Sequence, residues 1–263
     1  MRLLMVGAGN MGGAMLRRWL GAGTDPADVT VVSPSLRAMP DGVRVLPEIP
    51  DVAEGGYDAI VLGLKPQQLG TLRDGPLAGH APSLLISILA GVEEATLASL
   101  TGATAVVRAM PNLPVAIGEG VTALYSSTAD TAARAAVTDL MTPLGLVEWI
   151  ADEARFDDVT ALAGCGPGFV FRFADALAQA GAALGLPADQ AARLALATLS
   201  GSAAMAAGSD VPPAVLADRV ASPGGSTRQG LNVLDRADGL VALLTETLAA
   251  SARRNREMAA AAR

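Results

Sequence analysis

Residues 3–13 read Leu3-Leu4-Met5-Val6-Gly7-Ala8-Gly9-Asn10-Met11-Gly12-Gly13, an apolar run that passes straight into glycines. Such a run, followed by a stretch of helical period, is the sequence form of a strand, a tight turn and a helix start. Glycine at 7 allows the sharp turn, glycine at 9 lets another group approach the backbone, and glycine at 12 lets the helix lie close on the strand. The first-turn amides of that helix have no partner within it and stand at its positive end, so an anionic group docks there. The glycine triplet alone is a weak signal. Here a strand precedes it, a helix over residues 13–20 follows and another strand comes next, which is the context of a turn that holds a dinucleotide pyrophosphate. Gly7, Gly9, Asn10, Met11 and Gly12 are therefore candidate cofactor contacts, with a purely structural glycine turn as the alternative.

Outward from that turn, the first 125 residues alternate short apolar runs with helical segments, the pattern of a parallel sheet flanked by helices. Strands are predicted over residues 3–7, 29–33, 59–64, 84–87, 105–109 and 122–125, with a later one over 147–150. From Ala154 onward the period is helical, with Ala/Leu stripes, Pro187 as a first-turn residue, and breaks near 164–168, 208–213 and 222–225. The expected fold class is α/β: a Rossmann-type dinucleotide-binding domain over 1–152, followed by an all-α domain over 153–263. Segments 169–184 and 188–207 are apolar or small nearly all round, so they must be buried on several sides. One small helical domain supplies too little cover, and a homodimer is the simplest remedy; a compact monomeric bundle is the alternative.

Composition narrows the function classes. The chain has 263 residues, 51% of them hydrophobic, enough for two cores. No stretch of about 18 apolar residues occurs, and the opening turns glycine-rich where a signal peptide would stay apolar, so neither a membrane span nor secretion is supported and a cytoplasmic location is expected. One cysteine, Cys165, permits no internal disulfide, and one histidine with one cysteine cannot build a nitrogen and sulfur metal site. No metal is expected, although sites built from carboxylates alone stay open. A net charge of −7 argues against a nucleic-acid partner, since phosphate backbones call for a clustered basic face. The cluster Arg253, Arg254 and Arg256 reads as a solvated helix end. Aromatics at 3% point to helices that approach closely rather than cores built on large rings. Lys65 is the sole lysine, so chemistry that demands a lysine has one candidate.

Five further stretches carry candidate residues. The second strand ends in Val31-Val32-Ser33-Pro34-Ser35-Leu36-Arg37, where an NAD enzyme usually places an acid for the ribose hydroxyls. That acid is missing; Ser33, Ser35 and Arg37 could instead receive a 2′-phosphate, so NADPH is the expected cofactor and NADH the alternative. Arg37 reads equally as a surface charge. Gly63-Leu64-Lys65-Pro66-Gln67 and Ile88-Leu89-Ala90-Gly91-Val92 each follow a strand at its carboxyl end, where ligands of open α/β sheets lie, which makes Leu64, Lys65, Pro66 and Ala90 candidates. A solvated Lys65 is the bland alternative. Met110-Pro111-Asn112-Leu113-Pro114 sets the Asn112 amide between two stiffening prolines, a way to hold a carboxamide or a reacting ring, or simply a structural turn. Ser222-Pro223-Gly224-Gly225-Ser226-Thr227 is a hydroxyl- and glycine-rich break before a helix, suited to a small carboxylate, and an ordinary capped helix explains it equally well.

Taken together, VGAGNMGGAML at the start, LGLKPQ, SILAGV, VVRAMPNLPVAIGEGVTALY, ALAGCGPGFVF and VASPGGSTRQGLNVL resemble the pyrroline-5-carboxylate reductase family, in the right order and over nearly the whole chain. The run from Pro223 to Thr227 is the most specific piece. The resemblance implies that the glycine loop binds the pyrophosphate and that Ser33, Ser35 and Arg37 lie by the adenosine ribose. It further implies that Ser222, Gly224, Gly225, Ser226 and Thr227 hold the substrate carboxylate, with the Thr227 hydroxyl beside the imine ring as the catalytic candidate. The expected reaction is reduction of 1-pyrroline-5-carboxylate to L-proline in proline biosynthesis. Family members are dimers with interleaved helical domains, commonly assembled into rings such as decamers.

The chemistry discriminates among relatives of this architecture. Reducing a ketone leaves an alkoxide that needs a positioned acid, whereas an imine protonated in solution accepts hydride as an iminium and leaves a neutral amine. The protein then mostly orients two bound reactants and sets fixed dipoles around the carboxylate. The β-hydroxyacid dehydrogenases, which resemble one another in a lysine on a second-domain helix, are disfavoured because no lysine follows position 65. A nonenzymatic dinucleotide sensor on the same fold has no need of a carboxylate run at 222–227. The chain departs from the family at Gly164-Cys165-Gly166-Pro167-Gly168-Phe169, where relatives commonly carry two more hydroxyls, so a related cyclic imine is the alternative substrate. Cys165 is expected as a small buried group. His80, in the loop Gly79-His80-Ala81-Pro82, is expected at the surface.

Overall fold

The computed structural model describes residues 1–36, 38–51, 56–64, 66–72 and 75–261. The chain divides into two compact units, Met1–Cys165 with Ser251–Arg263, and Gly166–Ala250.

In the first unit, β1 (Leu3–Val6) leads through helix α1 (Asn10–Gly21) to β2 (Val29–Val32), β3 (Arg44–Leu46), β4 (Ala59–Leu62) and β5 (Leu84–Ser87). Short helix α2 (Glu94–Ala98), β6 (Ala105–Pro111), β7 (Gly120–Tyr125), α3 (Thr131–Met141) and β8 (Gly145–Trp149) follow. The strands form one sheet of order β3-β2-β1-β4-β5-β6-β7-β8, parallel throughout except where β6 meets β7. β1, β2, β4 and β5 are four-residue runs buried at every position, as expected of strands covered on both faces. Leu3, Met5, Val29, Val31, Val61 and Ile86 pack with Met15, Leu16 and Trp19 on one side. Leu4, Val6, Ile60, Leu62 and Leu85 pack with Leu69, Leu77 and Leu97 on the other.

Several sequence expectations are corrected. The strands predicted over 3–7, 29–33 and 59–64 stop one or two residues earlier. Their ladder is continued by the amides of Gly7, Ser33 and Gly63, which donate to Val32, Leu46 and Val6 at 3.0, 2.9 and 2.8 Å as the backbone turns away. Strand β3 was not predicted, because three residues with exposed Arg44 at their head carry no readable alternation. His80 is buried, 4% exposed, not a surface residue. Its Nε2 lies 3.1 Å from the Pro50 carbonyl oxygen, a partner that makes burial of the ring affordable and that no local pattern announces.

The sheet closes at β7 and β8 through two glycines. Gly145 has φ +127°, and a Cβ on it would stand 2.1 Å from the Gly120 carbonyl oxygen. Gly145→Ala is expected to destabilise by about 3 kcal/mol, a fall in Tm on the order of 6–12 °C, read by thermal unfolding of the apo protein.

After β8 come α4 (Phe156–Val159) and a π-helical turn, Thr160–Gly164. The second unit holds α5 (Gly166–Ala183), α6 (Ala188–Ala207), α7 (Pro213–Arg219), α8 (Ser226–Leu234) and the first part of α9 (Leu240–Ala261). Pro187 is the cap directly before α6, one place outside the first turn. Helices α5 and α6 meet through small residues: a Cβ at Gly181 would lie 3.4 Å from that of Ala191. In the single chain, α5 has no buried residue and α6 buries only Ala191 and Ala195. Phe171, Leu177, Leu196, Met205 and Val241 stand 58%, 41%, 63%, 66% and 77% exposed. Apolar area of that extent calls for a partner surface. Among the described residues no helix is long and apolar enough to cross a membrane.

Candidate functional site

The glycine turn takes the form that its sequence requires. Gly7 has φ +89°, and a Cβ there would lie 3.0 Å from the backbone of both Gly63 and Leu64. Reciprocally, a Cβ on Gly63 would meet the Gly7 carbonyl oxygen at 2.5 Å, and one on Gly12 would meet the same oxygen at 3.1 Å. The turn after β1 and the turn after β4 therefore interlock backbone to backbone. Gly9 differs: nothing lies within 4 Å of its Cβ position, and it caps α1 with extended geometry and no side-chain hydrogen bond. The first-turn amides of α1, at exposed Asn10 and partly buried Met11, stand at the positive helix end without a side-chain cap. This is a fitting cradle for a pyrophosphate.

The other candidates of this unit gather at the carboxyl ends of the strands. Ser33 is buried after β2, and its hydroxyl oxygen lies 3.4 Å from that of exposed Ser35. Leu36 turns the backbone at φ 45°. Leu64 is half-buried beside Gly63, Pro66 opens the 3-10 turn Pro66–Thr71, and Ala90 is exposed in the turn after β5. Arg37 and Lys65 lie outside the described residues. Asn112, after β6, is 6% exposed and its amide is engaged within the protein. Its Oδ1 accepts from the Val121 amide at 2.8 Å and its Nδ2 donates to the Ala163 carbonyl at 3.0 Å. The residue thus ties β6 and β7 to the π-helical turn.

Sequence reasoning missed a charged cluster next to that turn. Arg108 on β6 is 4% exposed, and its Nη1 donates to Glu153 Oε1 at 2.7 Å. Its guanidinium carbon stands 4.2 Å from the centre of the Phe156 ring, while its Nε is buried with no hydrogen-bond partner among the described residues. The same Glu153 oxygen accepts from the Glu94 amide at 2.8 Å, so it caps α2 from 59 residues away. Glu94 in turn accepts from the Ser127 amide and from the hydroxyls of Ser126 and Thr128. Partial burial, then the negative charges of Glu94, Glu153 and Asp152, raise the pKa of the nearby Tyr125 phenol above its ordinary value. Separations of 45 and 59 residues leave no local pattern by which such partners could be paired.

In the second unit, Ser222, Gly224, Ser226 and Thr227 are exposed and Gly225 is half-buried. Gly224 has φ +72°, and the Gly225 amide donates to the Ser222 carbonyl at 2.9 Å. A Cβ on Gly225 would stand 2.5 Å from Ser222 Oγ, so glycine here lets the serine hydroxyl fold over the start of α8. Gly225 caps α8 with no side-chain hydrogen bond, which leaves the first-turn amides and the Ser226 and Thr227 hydroxyls available to an anion. Arg228 pairs with Asp218 at 2.5 Å and anchors α8 to α7. Cys165, expected buried, is of intermediate exposure, and its sulfur accepts from Ser251 Oγ at 3.3 Å. Among the described residues no group of three or more His, Cys, Asp or Glu is arranged to hold a metal.

Comparison with known proteins agrees with this geometry at both ends of the chain. Residues 2–91 match the family model described as NADP oxidoreductase coenzyme F420-dependent. Residues 153–258 match that for pyrroline-5-carboxylate reductase dimerisation. A pyrroline-5-carboxylate reductase of Pseudomonas aeruginosa is 34% identical over 98% of this chain and 97% of its own. The solved structure of a pyrroline-5-carboxylate reductase from Coxiella burnetii superposes with a TM-score of 0.85 at 30% identity, covering 97% of each chain. A Plasmodium falciparum pyrroline carboxylate reductase, solved with NADP bound, superposes with a TM-score of 0.78 at 27% identity and covers 98% of each. With an open dinucleotide turn, a sheet of matching course and a full-length relative above 30% identity, this chain belongs to the pyrroline-5-carboxylate reductase family.

Proposed function

We propose that this protein reduces 1-pyrroline-5-carboxylate to L-proline, the closing step of proline biosynthesis, with NADPH as the reductant. The observation that carries the reading is a pair of helix starts left uncapped by side chains, α1 at Gly9 and α8 at Gly225, each offering free amides to an anion. Gly7, Gly9, Asn10, Met11 and Gly12 take the pyrophosphate, and Ser33 and Ser35, with Arg37, take the 2′-phosphate. Leu64, Lys65, Pro66 and Ala90 contact the cofactor. Asn112 acts by holding the turn after β6. NADPH, when bound, supplies a hydride. Ser222, Gly224, Gly225, Ser226 and Thr227 hold the substrate carboxylate, and the Thr227 hydroxyl donates to the ring nitrogen as the protonated imine becomes a neutral amine. Residues 1–152 serve cofactor binding, and 153–263 serve substrate binding and dimerisation. The exposed faces of α5 and α6 interleave with a second copy, and dimers assemble into a ring such as a decamer in the cytoplasm.

The test is loss of nicotinamide absorbance when the purified protein meets racemic 1-pyrroline-5-carboxylate, run with NADPH and NADH in parallel. Rapid oxidation with proline as product is expected, faster with NADPH. Tight cofactor binding without turnover would refute the substrate assignment and favour another cyclic imine, admitted by Cys165, Gly168 and Phe169. Thr227→Ala is expected to lower kcat at saturating substrate by about threefold to tenfold, the loss of one hydrogen bond to the nitrogen as its lone pair forms on hydride transfer. An unchanged kcat with a raised KM would restrict Thr227 to binding.

A further inference from the structure

We propose that the last turns of α9 buttress the turn after β5, with Gly91 and Ala259 as a positioning pair for cofactor binding. The inference rests on the reading above that this turn faces the cofactor. β5 ends at Ser87, whose Oγ accepts from the Leu89 amide at 3.3 Å and starts the turn. Ala90 at its tip is exposed, and Gly91 follows with φ +73°, a conformation that favours glycine. A Cβ on Gly91 would lie 3.1 Å from Ala259 Cα, 3.2 Å from its nitrogen and 3.3 Å from its Cβ. Two backbones far apart in sequence therefore approach closely, with only the Ala259 methyl at the contact.

The end of α9 is itself held in place. Ala252 and Asn255 are buried, 6% and 9% exposed. Asn255 Nδ2 donates to the Asp157 carbonyl at 3.4 Å, and Arg256 pairs with Asp158. Beside the contact the packing opens into a cavity of about 460 Å³, whose lining includes Arg108, Glu153, Asp157 and Arg256. The helix backbone at Ala259 is thus where the turn meets solid structure. Removing it frees Ala90 and Gly91 to move, while the sheet and α1 keep their own packing.

Three variants test the proposal: a chain ended after Met258, Gly91→Ala, and Ala90→Asp, whose exposed position accepts the larger side chain without internal clash. Each is read by NADPH titration through nicotinamide fluorescence, by Tm without ligand, and by steady-state kinetics. The shortened chain and Gly91→Ala are expected to weaken NADPH binding and raise its KM by about tenfold, with kcat at saturation changed less than about twofold. Loss of Tm with unchanged NADPH affinity in the shortened chain, or in Gly91→Ala if that chain does not fold, would overturn the buttress while Ala90→Asp still weakened binding. Unchanged affinity in Ala90→Asp would show that the turn does not face the cofactor, and would overturn the underlying reading as well.

Discussion

Glu153→Ala is expected to destabilise the protein by about 3 kcal/mol, and Arg108→Met by only about 1 kcal/mol, although the two residues share one ion pair. The asymmetry follows from burial: the Arg108 side chain is 5% exposed, that of Glu153 30%. Removing Glu153 strands a guanidinium in the interior, where its Nε already lacks a partner, and also uncaps α2 by taking the acceptor from the Glu94 amide. Removing Arg108 leaves a carboxylate that water reaches and that keeps the Glu94 amide. What goes is the contact with the Phe156 ring, which the methionine stem partly replaces. Thermal unfolding should separate the variants by roughly 4–8 °C. Equal losses would show that the two charges contribute symmetrically and that partial exposure of Glu153 has no weight.

The second large effect divides two neighbouring glycines. Gly9→Ala is expected to lower the apo Tm by only about 1–4 °C, the effect of a poorer helix cap, and to weaken NADPH binding by about tenfold or more, because the new methyl enters space empty within 4 Å and stands where the pyrophosphate would approach. Gly7→Ala is expected to lower the apo Tm by on the order of 6–12 °C and to abolish binding as well. Its methyl meets the Gly63 and Leu64 backbone at 3.0 Å from a φ of +89°. Calorimetry without ligand and NADPH titration resolve the pair. A fall in apo Tm for Gly9→Ala as large as that for Gly7→Ala would mean that the open side of the turn is occupied by the protein itself.

These contrasts mark what was legible in the sequence. The course from β1 through α1 to β2 could be read because strand, turn and helix are contiguous and each has its own period. The break and helix start at 222–227 could be read because glycine and hydroxyl residues crowd it. Apolarity on every side of α5 and α6 pointed to a missing partner surface, as the exposure of Phe171 and Leu196 bears out. What could not be read was pairing across distance: Gly7 against Gly63, Arg108 with Glu153, His80 with the Pro50 carbonyl. Each joins residues whose own neighbours look ordinary. Asn112 was read as an amide for a carboxamide or a reacting ring, or as a structural turn, and its bonds to Val121 and Ala163 within the protein had to be seen.

The return of α9 to the first unit bears on how the protein is made. Residues up to Cys165 leave the ribosome first, yet the compact unit to which they belong also contains Ser251–Arg263. The segment that meets Asp157 and Asp158 and seats Ala259 against Gly91 is therefore synthesised only after the whole second unit. At about 5–20 residues per second, the nascent sheet waits on the order of 5–20 s with the Gly91 turn and the acid pair uncovered. A premature stop late in the message would thus damage the half of the protein that was translated first.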